Sequence, residues 1–461
     1  MKTTFSGWRY LWKSEDIRRK LIVTFALLAL FRIVAIIPAP GVNQAVLNAF
    51  LNSGSASGNF LGFLNLLSGG TVTRFSLLSM GVYPYITAQI IIQLLVPIIP
   101  ALQRRMEEDP REGRRWMEKW TYYLAVPMAA LSAIGQINIF NNLSLNSTLN
   151  QQILPFGFSG DLLLPSVTVL LAMTAGTMFA IWLGELISEY GIRGQGLSLI
   201  IFAGIVSQLP RNFVALFSDP TTALPLVLIT AVVIVGTVLA IVYVTQGRRN
   251  VPVMYPGRRM GGRMSMPVKG TLPLMVNLSG MIPLIFASAI LQFPAIIAGF
   301  FMGSTNESVR SFATMVQEFF NSSRGIGHWG YWVLYALMVV AFTFFYTSVL
   351  FDQQNYGENL KRVGATIPGV HTGAPTQKYL SRVQNRIALP GAVLLGVVAI
   401  MPYLISLILQ VTKIGTTNNT AGLFLVSSSG LLIVVGVVRD TFMNIDAELK
   451  LHGYQDSILV R

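Results

Sequence analysis

The sequence lacks cysteine altogether and is poor in charge. Because it has no cysteine, it can form no disulfide, thiolate metal site or cysteine nucleophile. Only 11% of its 461 residues are charged, and 33 basic residues outnumber 19 acidic ones. Soluble proteins carry about 25% charged residues, so this chain has too few polar side chains to cover a water-soluble fold. A hydrophobic content of 53% also excludes a disordered chain.

Long runs without charge are abundant instead. A helix needs about 20 apolar residues to cross a bilayer. The first run follows Arg18, Arg19 and Lys20 as in a signal peptide, but it contains Arg32 and lacks an A-x-A cleavage site, so we expect a retained span. The sequence predicts an all-α, polytopic membrane protein with ten spans: residues 21–38, 76–99, 120–139, 162–183, 196–215, 223–245, 273–301, 329–351, 387–411 and 421–439.

The basic residues are distributed very unequally between the two sets of loops that these spans define. One set, which includes both termini, holds 27 of the 33 Lys and Arg residues, and the other set holds five. Such an excess marks the cytoplasmic side of a membrane protein. We therefore expect both termini in the cytoplasm and a basic inner face. This face either attracts anionic lipid headgroups, ribosomal RNA or an acidic protein, or reflects the topological bias alone.

The predicted spans contain no carboxylate near their centres. A proton- or sodium-coupled carrier usually keeps one there, so its absence argues against a coupled transporter. Arg32 is the single charge inside a span, and we expect it to be paired or to reach the membrane surface.

The sequence does not favour an enzyme. The histidines lie in loops or at a span edge, so a serine within a span has no histidine base; they are His328, His371 and His452. An HExxH zinc motif and a nucleotide-binding P-loop are both missing. We predict no enzymatic activity, metal or cofactor, and no DNA partner, because no nucleic-acid-binding motif is present.

One short apolar segment does not fit an ordinary loop. Residues 60–73, FLGFLNLLSGGTVT, are too few to span, and the run is broken by Gly69 and Gly70. A broken helix at membrane depth requires a protein-lined or water-filled surrounding, which favours re-entry into a cavity. The alternative is an amphipathic helix lying in the membrane interface.

At this point several long motifs resemble one known family, in the same order and over nearly the whole chain. They are FRIVAIIPAPGV, NLLSGGTVTRFSLLSMGVYPYITAQIIIQLL, TAGTMFAIWLGE, EYGIRGQGLSLIIFAGIV, VNLSGMIPLIFASAI, FFYTSVLFDQQNYGENLKRVGATIPGV and GLLIVVGVVRDT. The chain is similar to the SecY family, the central subunit of the Sec protein-conducting channel of the bacterial plasma membrane.

The resemblance implies two pseudo-symmetric halves of five spans, residues 1–217 and 223–461, joined by a hinge at 218–222. It also implies that the short apolar segment, about 60–74, is a re-entrant plug helix closing the channel. The plug residues matched are Phe60, Leu64, Leu67, Ser68, Gly69, Gly70 and Arg74.

The resemblance further implies an apolar pore ring and a lateral gate between spans two and three on one side and seven and eight on the other. The ring residues matched are all aliphatic: Val82, Ile86, Leu197, Ile201, Ile285 and Ile433. The polar gate residues matched are Thr87, Ser132 and Asn277. Without the resemblance, aliphatic residues within spans indicate helix packing, and polar ones indicate interhelical hydrogen bonds.

The expected partners are the SecE and SecG subunits, the SecA ATPase, the ribosome, signal sequences and translocating polypeptide. SecA and the ribosome are expected on two loops, 246–271 and 352–385, with the docking residues Arg258, Arg259, Arg263, Lys361, Arg362 and His371. His371 stands where the family motif has arginine, and histidine lacks the bidentate guanidinium fork. A polytopic solute or lipid transporter is the alternative function.

Overall fold

The structure is a computed structural model, and the whole of the predicted plug and hinge lies outside its described residues. Those residues are 14–52, 75–145, 151–157, 160–207, 223–256, 259–260, 263–264, 268–280, 282–301, 306–320, 329–411 and 433–448.

The described chain is mostly helical, as the charge-free runs predict. In chain order the helices are α1 Glu15–Val34, α2 Gln44–Asn52, α3 Tyr83–Ile98, α4 Pro100–Glu108, α5 Pro110–Leu145, α6 Leu163–Tyr190, α7 Gly196–Val206, α8 Ala223–Gln246, α9 Ile282–Phe301, α10 Glu307–Phe319, α11 Trp329–Gln353, α12 Tyr356–Arg362, α13 Ala374–Val411 and α14, residues 433–448. A short 3-10 helix, Gly160–Leu162, precedes α6.

Two antiparallel strand pairs lie between α8 and α9. Strands β1, Arg248–Tyr255, and β4, Val268–Met275, pair along eight residues, from Arg248 opposite Met275 to Tyr255 opposite Val268. Strands β2, Arg259–Met260, and β3, Arg263–Met264, pair between them in sequence. The predicted loop 246–271 is therefore a β-hairpin in its described part.

The polytopic helical class is confirmed. Within the described residues, four helices are long and apolar enough to cross a membrane, and four shorter apolar helices accompany them. The long ones are Arg111–Asn141, Leu163–Tyr190, Trp329–Arg362 and Ala374–Met401, and the short ones are Tyr83–Val96, Gly196–Val206, Ile234–Gln246 and Ile282–Ala295. The count of ten spans stays a prediction.

The predicted start of the seventh span, residue 273, is wrong. Strand β4 continues to Met275, and α9 begins only at Ile282. An apolar run that continues from a strand into a helix gives no hydropathy signal at the change, so the boundary is invisible to a search for charge-free windows.

The predicted hinge separates the helices into two groups in chain order, α1–α7 and α8–α14. Within the first group α6 and α7 pack so closely that a Cβ on Gly196 would lie 1.7 Å from the Gly184 carbonyl oxygen. Among helices α1–α13, the extensive contacts between the groups are those of α9 with α3 and α5. We call this contact the seam.

Arg32 is paired, as expected. Its guanidinium donates to the Ala203 carbonyl oxygen and the Ser207 hydroxyl at the end of α7. The carbonyl end of a helix carries a partial negative charge, which favours a cation there. This contact also fixes α1 against α7.

Candidate functional site

The largest apolar cluster of the described residues lies where the two groups of helices meet. It contains five of the six predicted ring residues, which come from α3 with its N-cap and from α7, α9 and α14. Each is nearly inaccessible: Val82 (1% exposed), Ile201 (4%), Ile433 (5%), Ile285 (7%) and Ile86 (8%). The sixth, Leu197, packs against the same cluster. Side chains from four separate segments thus share one apolar centre.

The close approach of α6 and α7 positions Leu197. A Cβ on Gly184 of α6 would lie 2.8 Å from the Leu197 Cδ2 atom, so a side chain at that position would displace Leu197. Leu197 therefore occupies space that is available because Gly184 has no side chain.

The segment leading into α3 is held firmly by backbone contacts. Ala39 donates to the Phe75 carbonyl oxygen (2.9 Å), and Leu77 donates to that of Ile37 (3.0 Å). The buried Phe75 ring meets the edge of Phe140 on α5, with centroids 5.1 Å apart. This segment follows the predicted plug directly, so the chain leaving the plug region enters a fixed position.

Within the same segment, Leu77 passes very close to α6. A Cβ on Gly176 would lie 2.1 Å from the Leu77 carbonyl oxygen. Only glycine permits this approach. The contact fixes where the segment that leads to Val82 and Ile86 lies along the axis of α6.

The predicted gate residues are all buried, but their hydrogen bonds are local. Thr87 donates to the Tyr83 carbonyl oxygen one turn earlier in α3 (3.0 Å). Asn277 lies in the turn before α9, where it donates to Gly280 (3.2 Å) and accepts from Ser279 (3.1 Å). Ser132 is buried on α5. The described hydrogen bonds of Thr87 and Asn277 therefore do not cross the seam.

A hydrogen bond that does cross the seam comes from a residue that the sequence does not reveal. The Tyr83 hydroxyl at the start of α3 donates to the Ala289 carbonyl oxygen of α9 (3.1 Å). The sequence signal for this bond is limited to a tyrosine one helical turn before Thr87. The acceptor leaves no signal, because it is a backbone atom 206 residues further along the chain.

Aromatic side chains connect α9 to α11 beside the seam. Phe286 meets Phe342 and Tyr346 edge to face, with centroid distances of 6.4 Å and 5.6 Å. Such pairs add about 0.5 to 1.5 kcal/mol beyond area burial. They hold α9 against α11.

The two predicted docking loops form one folded unit, which we call the hairpin module. Met254 of β1 and Thr366 exchange two backbone hydrogen bonds of 2.8 Å, so the hairpin and the segment after α12 pair directly. Beneath them lies an apolar cluster that includes Val251, Leu360 and Ile367.

The predicted docking residues occupy different parts of the hairpin module. Lys361 and Arg362 end α12 and are exposed, and so is His371. Arg259 and Arg263 belong to the short β2–β3 pair. Arg258 lies outside the described residues.

Fold and site together define a polytopic helical membrane protein in which two groups of helices, α1–α7 and α8–α14, share one buried apolar cluster. A family model described as SecY matches residues 76–442. The chain belongs to the SecY family.

Similar proteins cover almost the whole chain. This chain is 35% identical over 463 residues to the protein translocase subunit SecY of Chlamydia trachomatis. The alignment covers 98% of this chain and 97% of the relative. The chain is 36% identical over 467 residues to that of Halalkalibacterium halodurans, covering 97% and 98%.

Two solved structures share the fold. One, described as the structure of a protein conducting channel, has a TM-score of 0.56 at 16% identity over 94% of both chains. The other concerns the plug domain of a SecY protein that stabilises the closed state of the translocation channel. It has a TM-score of 0.59 at 18% identity, covering 96% of this chain and 95% of that one.

Proposed function

We propose that this chain is the channel-forming subunit of a bacterial protein translocase. It passes unfolded secretory polypeptides through the apolar centre and releases signal sequences and transmembrane segments sideways through the seam. The observation that supports this most is the shared burial of Val82, Ile86, Ile201, Ile285 and Ile433, which come from four segments of both halves.

A ring of aliphatic side chains suits a polypeptide channel. A narrow apolar constriction loses its water and blocks ions. The same side chains offer a passing chain no hydrogen-bond partner that would hold it. Since the spans carry no central carboxylate, the driving force comes from outside the channel, through SecA or the ribosome.

Opening requires the two halves to separate at the seam. The proposed pivot is the hinge at 218–222, and the plug at 60–74 leaves the centre as the ring widens. A signal sequence favours the open state because its apolar helix partitions between the separated helices and lipid, and this shifts the population of the two states.

The hairpin module is the proposed docking surface for SecA and the ribosome on the cytoplasmic side of the plasma membrane, where both termini also lie. SecE and SecG complete the channel, and anionic lipids surround its basic face. The shared apolar core of the two loops supports this, because it presents Lys361 and Arg362 on a rigid base.

The docking proposal predicts that Lys361→Glu/Arg362→Glu weakens SecA binding by about tenfold or more at low salt, because attraction becomes repulsion. Binding to proteoliposomes measures this. Arg310→Glu on α10, at the other end of α9 and α11, is the control and should leave binding unchanged. Equal effects of the two changes would contradict the docking surface.

Cross-linking to a translocating chain tests the channel directly. The protein has no cysteine, so Ile285→Cys introduces a single thiol at the apolar centre. A secretory precursor stalled during translocation and carrying one cysteine should form a disulfide with it. Val235→Cys on α8 is the matched control, because Val235 is 57% exposed and belongs outside the centre.

Equal cross-linking of the I285C and V235C variants, or none in either, would contradict the channel. Substrate-stoichiometric ion flux without any precursor would instead favour the transporter alternative.

A further inference from the structure

Tyr83 lies directly beside the apolar centre. Its side chain is 7% exposed and belongs to the same cluster as Val82 and Ile86. Its hydroxyl donates to the Ala289 carbonyl oxygen at 3.1 Å, a normal hydrogen-bond distance. The bond joins the first residue of α3 to the middle of α9, and therefore joins the two halves.

Small side chains on α9 make this approach possible. Ala287, Ser288 and Ala289 follow each other and are all buried. Small residues let a neighbouring group come close to a helix backbone, as is common in membrane helix packing. The Ser288 hydroxyl donates to the Ile285 carbonyl oxygen in its own helix (2.8 Å), so it does not compete with Tyr83 for the Ala289 carbonyl.

Separating α3 from α9 breaks this bond in a surrounding of apolar side chains. Loss of a hydrogen-bond acceptor is costly to a hydroxyl in such a surrounding. Measured hydrogen bonds between membrane helices are modest, and losing one changes an equilibrium by about threefold to tenfold. That range is small enough for a signal sequence to overcome and large enough to discriminate between signal sequences.

We propose that Tyr83 is a specificity-determining latch whose hydroxyl sets how hydrophobic a signal sequence must be to open the seam. The inference rests on the proposed function. A strongly apolar signal sequence gains enough on partitioning into lipid to break the Tyr83–Ala289 bond. A signal sequence weakened by a charge gains less, and the latched channel rejects it.

The acceptor is a backbone carbonyl, so substitution of Ala289 leaves it in place and the test must remove the donor. Tyr83→Phe removes the hydroxyl and keeps the ring. Tyr85→Phe is the matched control: Tyr85 is equally buried two residues later, but its cluster joins α3 to α5 and α6 within the first half.

Both variants and the unmodified chain are reconstituted with their partner subunits in proteoliposomes. Each is given one precursor with an intact signal sequence and one with a charged residue in its apolar segment. We expect Y83F to translocate the defective precursor about threefold to tenfold faster than the unmodified chain. The intact precursor should change by less than a factor of two, and Y85F should change neither rate.

Restoring a donor distinguishes the hydrogen bond from ring packing. Incorporation of 4-aminophenylalanine at position 83 supplies an N–H donor at the same ring position, and it should return the defective precursor to the low rate. Should Y83F not accumulate in membranes, Tyr83→Met, which also lacks a donor, replaces it.

Equal rates for Y83F and Y85F would overturn the latch, and so would a fast rate that persists with 4-aminophenylalanine. Failure of the unmodified chain to translocate even the intact precursor would contradict the proposed function instead, and the latch with it.

Discussion

The two groups of helices, α1–α7 and α8–α14, meet in two chemically different places. At the seam, aliphatic and aromatic side chains of α3 and α9 belong to one apolar cluster, and Tyr83 donates one neutral hydrogen bond to Ala289. At the other place, which we call the junction, Lys20 of α1 pairs with Glu448 of α14. Asn444 of α14 also donates to the Arg193 carbonyl oxygen (3.2 Å).

The difference indicates which contact opens. An apolar helix entering from lipid can replace the aliphatic contacts of the seam, since lipid and leucine are similarly apolar. It cannot replace an ion pair, because either charge left alone and partly buried is costly. We therefore expect the junction to hold the halves together while the seam separates.

Overpacking the turn after α6, which supports the Lys20 side of the junction, should have the largest effect on stability. A Cβ on Gly191 would lie 2.3 Å from the Thr24 hydroxyl oxygen and 2.7 Å from the Ile187 carbonyl oxygen. Thr24 donates to Lys20 in α1 and accepts from Ile192. Gly191→Ala should therefore displace the turn of α1 that carries Lys20 and lower stability by about 2 to 3 kcal/mol.

Thermal unfolding in lipid nanodiscs measures the effect of Gly191→Ala. Gly236→Ala on α8 is the control, because nothing lies within 4 Å of its added Cβ. Alanine is favoured over glycine in a helix, so this control should be neutral or slightly stabilising. Similar losses in both variants would show that the junction is not tightly packed.

Reversing one charge of the junction should have the next largest effect. The Lys20 and Glu448 side chains are 23% and 18% exposed, between a surface pair and a buried one. Lys20→Glu should lower stability by about 1 to 2 kcal/mol, and K20E/E448K should recover most of it.

The loss caused by K20E should shrink in about 1 M salt, because a partly exposed pair is screened. Unfolding midpoints of the unmodified chain, K20E, E448K and K20E/E448K measure the coupling energy between the two side chains. If the double variant is no more stable than K20E, the ion pair does not hold the junction.

Hydropathy predicts the apolar parts of the helices better than it predicts where each helix begins. Span limits agree closely at α8 and α11, where charge-free runs end at polar residues. They fail at α5 and α13, which begin at Pro110 and Ala374, ten and thirteen residues before the predicted spans. Charged residues end a membrane span but not a helix, because a helix continues freely into water.

The site was predictable only in part. Composition identifies a membrane protein, whereas the proposed ring residues follow from the family resemblance, since an isoleucine facing a pore and one facing a neighbouring helix look alike in sequence. Tyr83 escapes both approaches. Its partner is a backbone carbonyl on a distant helix, and no residue type at position 289 marks it.

The smallest effect should come from Thr87→Val. Thr87 is as buried as Tyr83, but its hydroxyl donates to the Tyr83 carbonyl oxygen within α3, and this bond survives when the seam opens. Translocation of the defective precursor should therefore change by less than a factor of two. The same proteoliposome assay measures it beside Y83F. If T87V accelerates that precursor as strongly as Y83F, then buried polarity along α3, and not a bond reaching α9, determines which signal sequences are accepted.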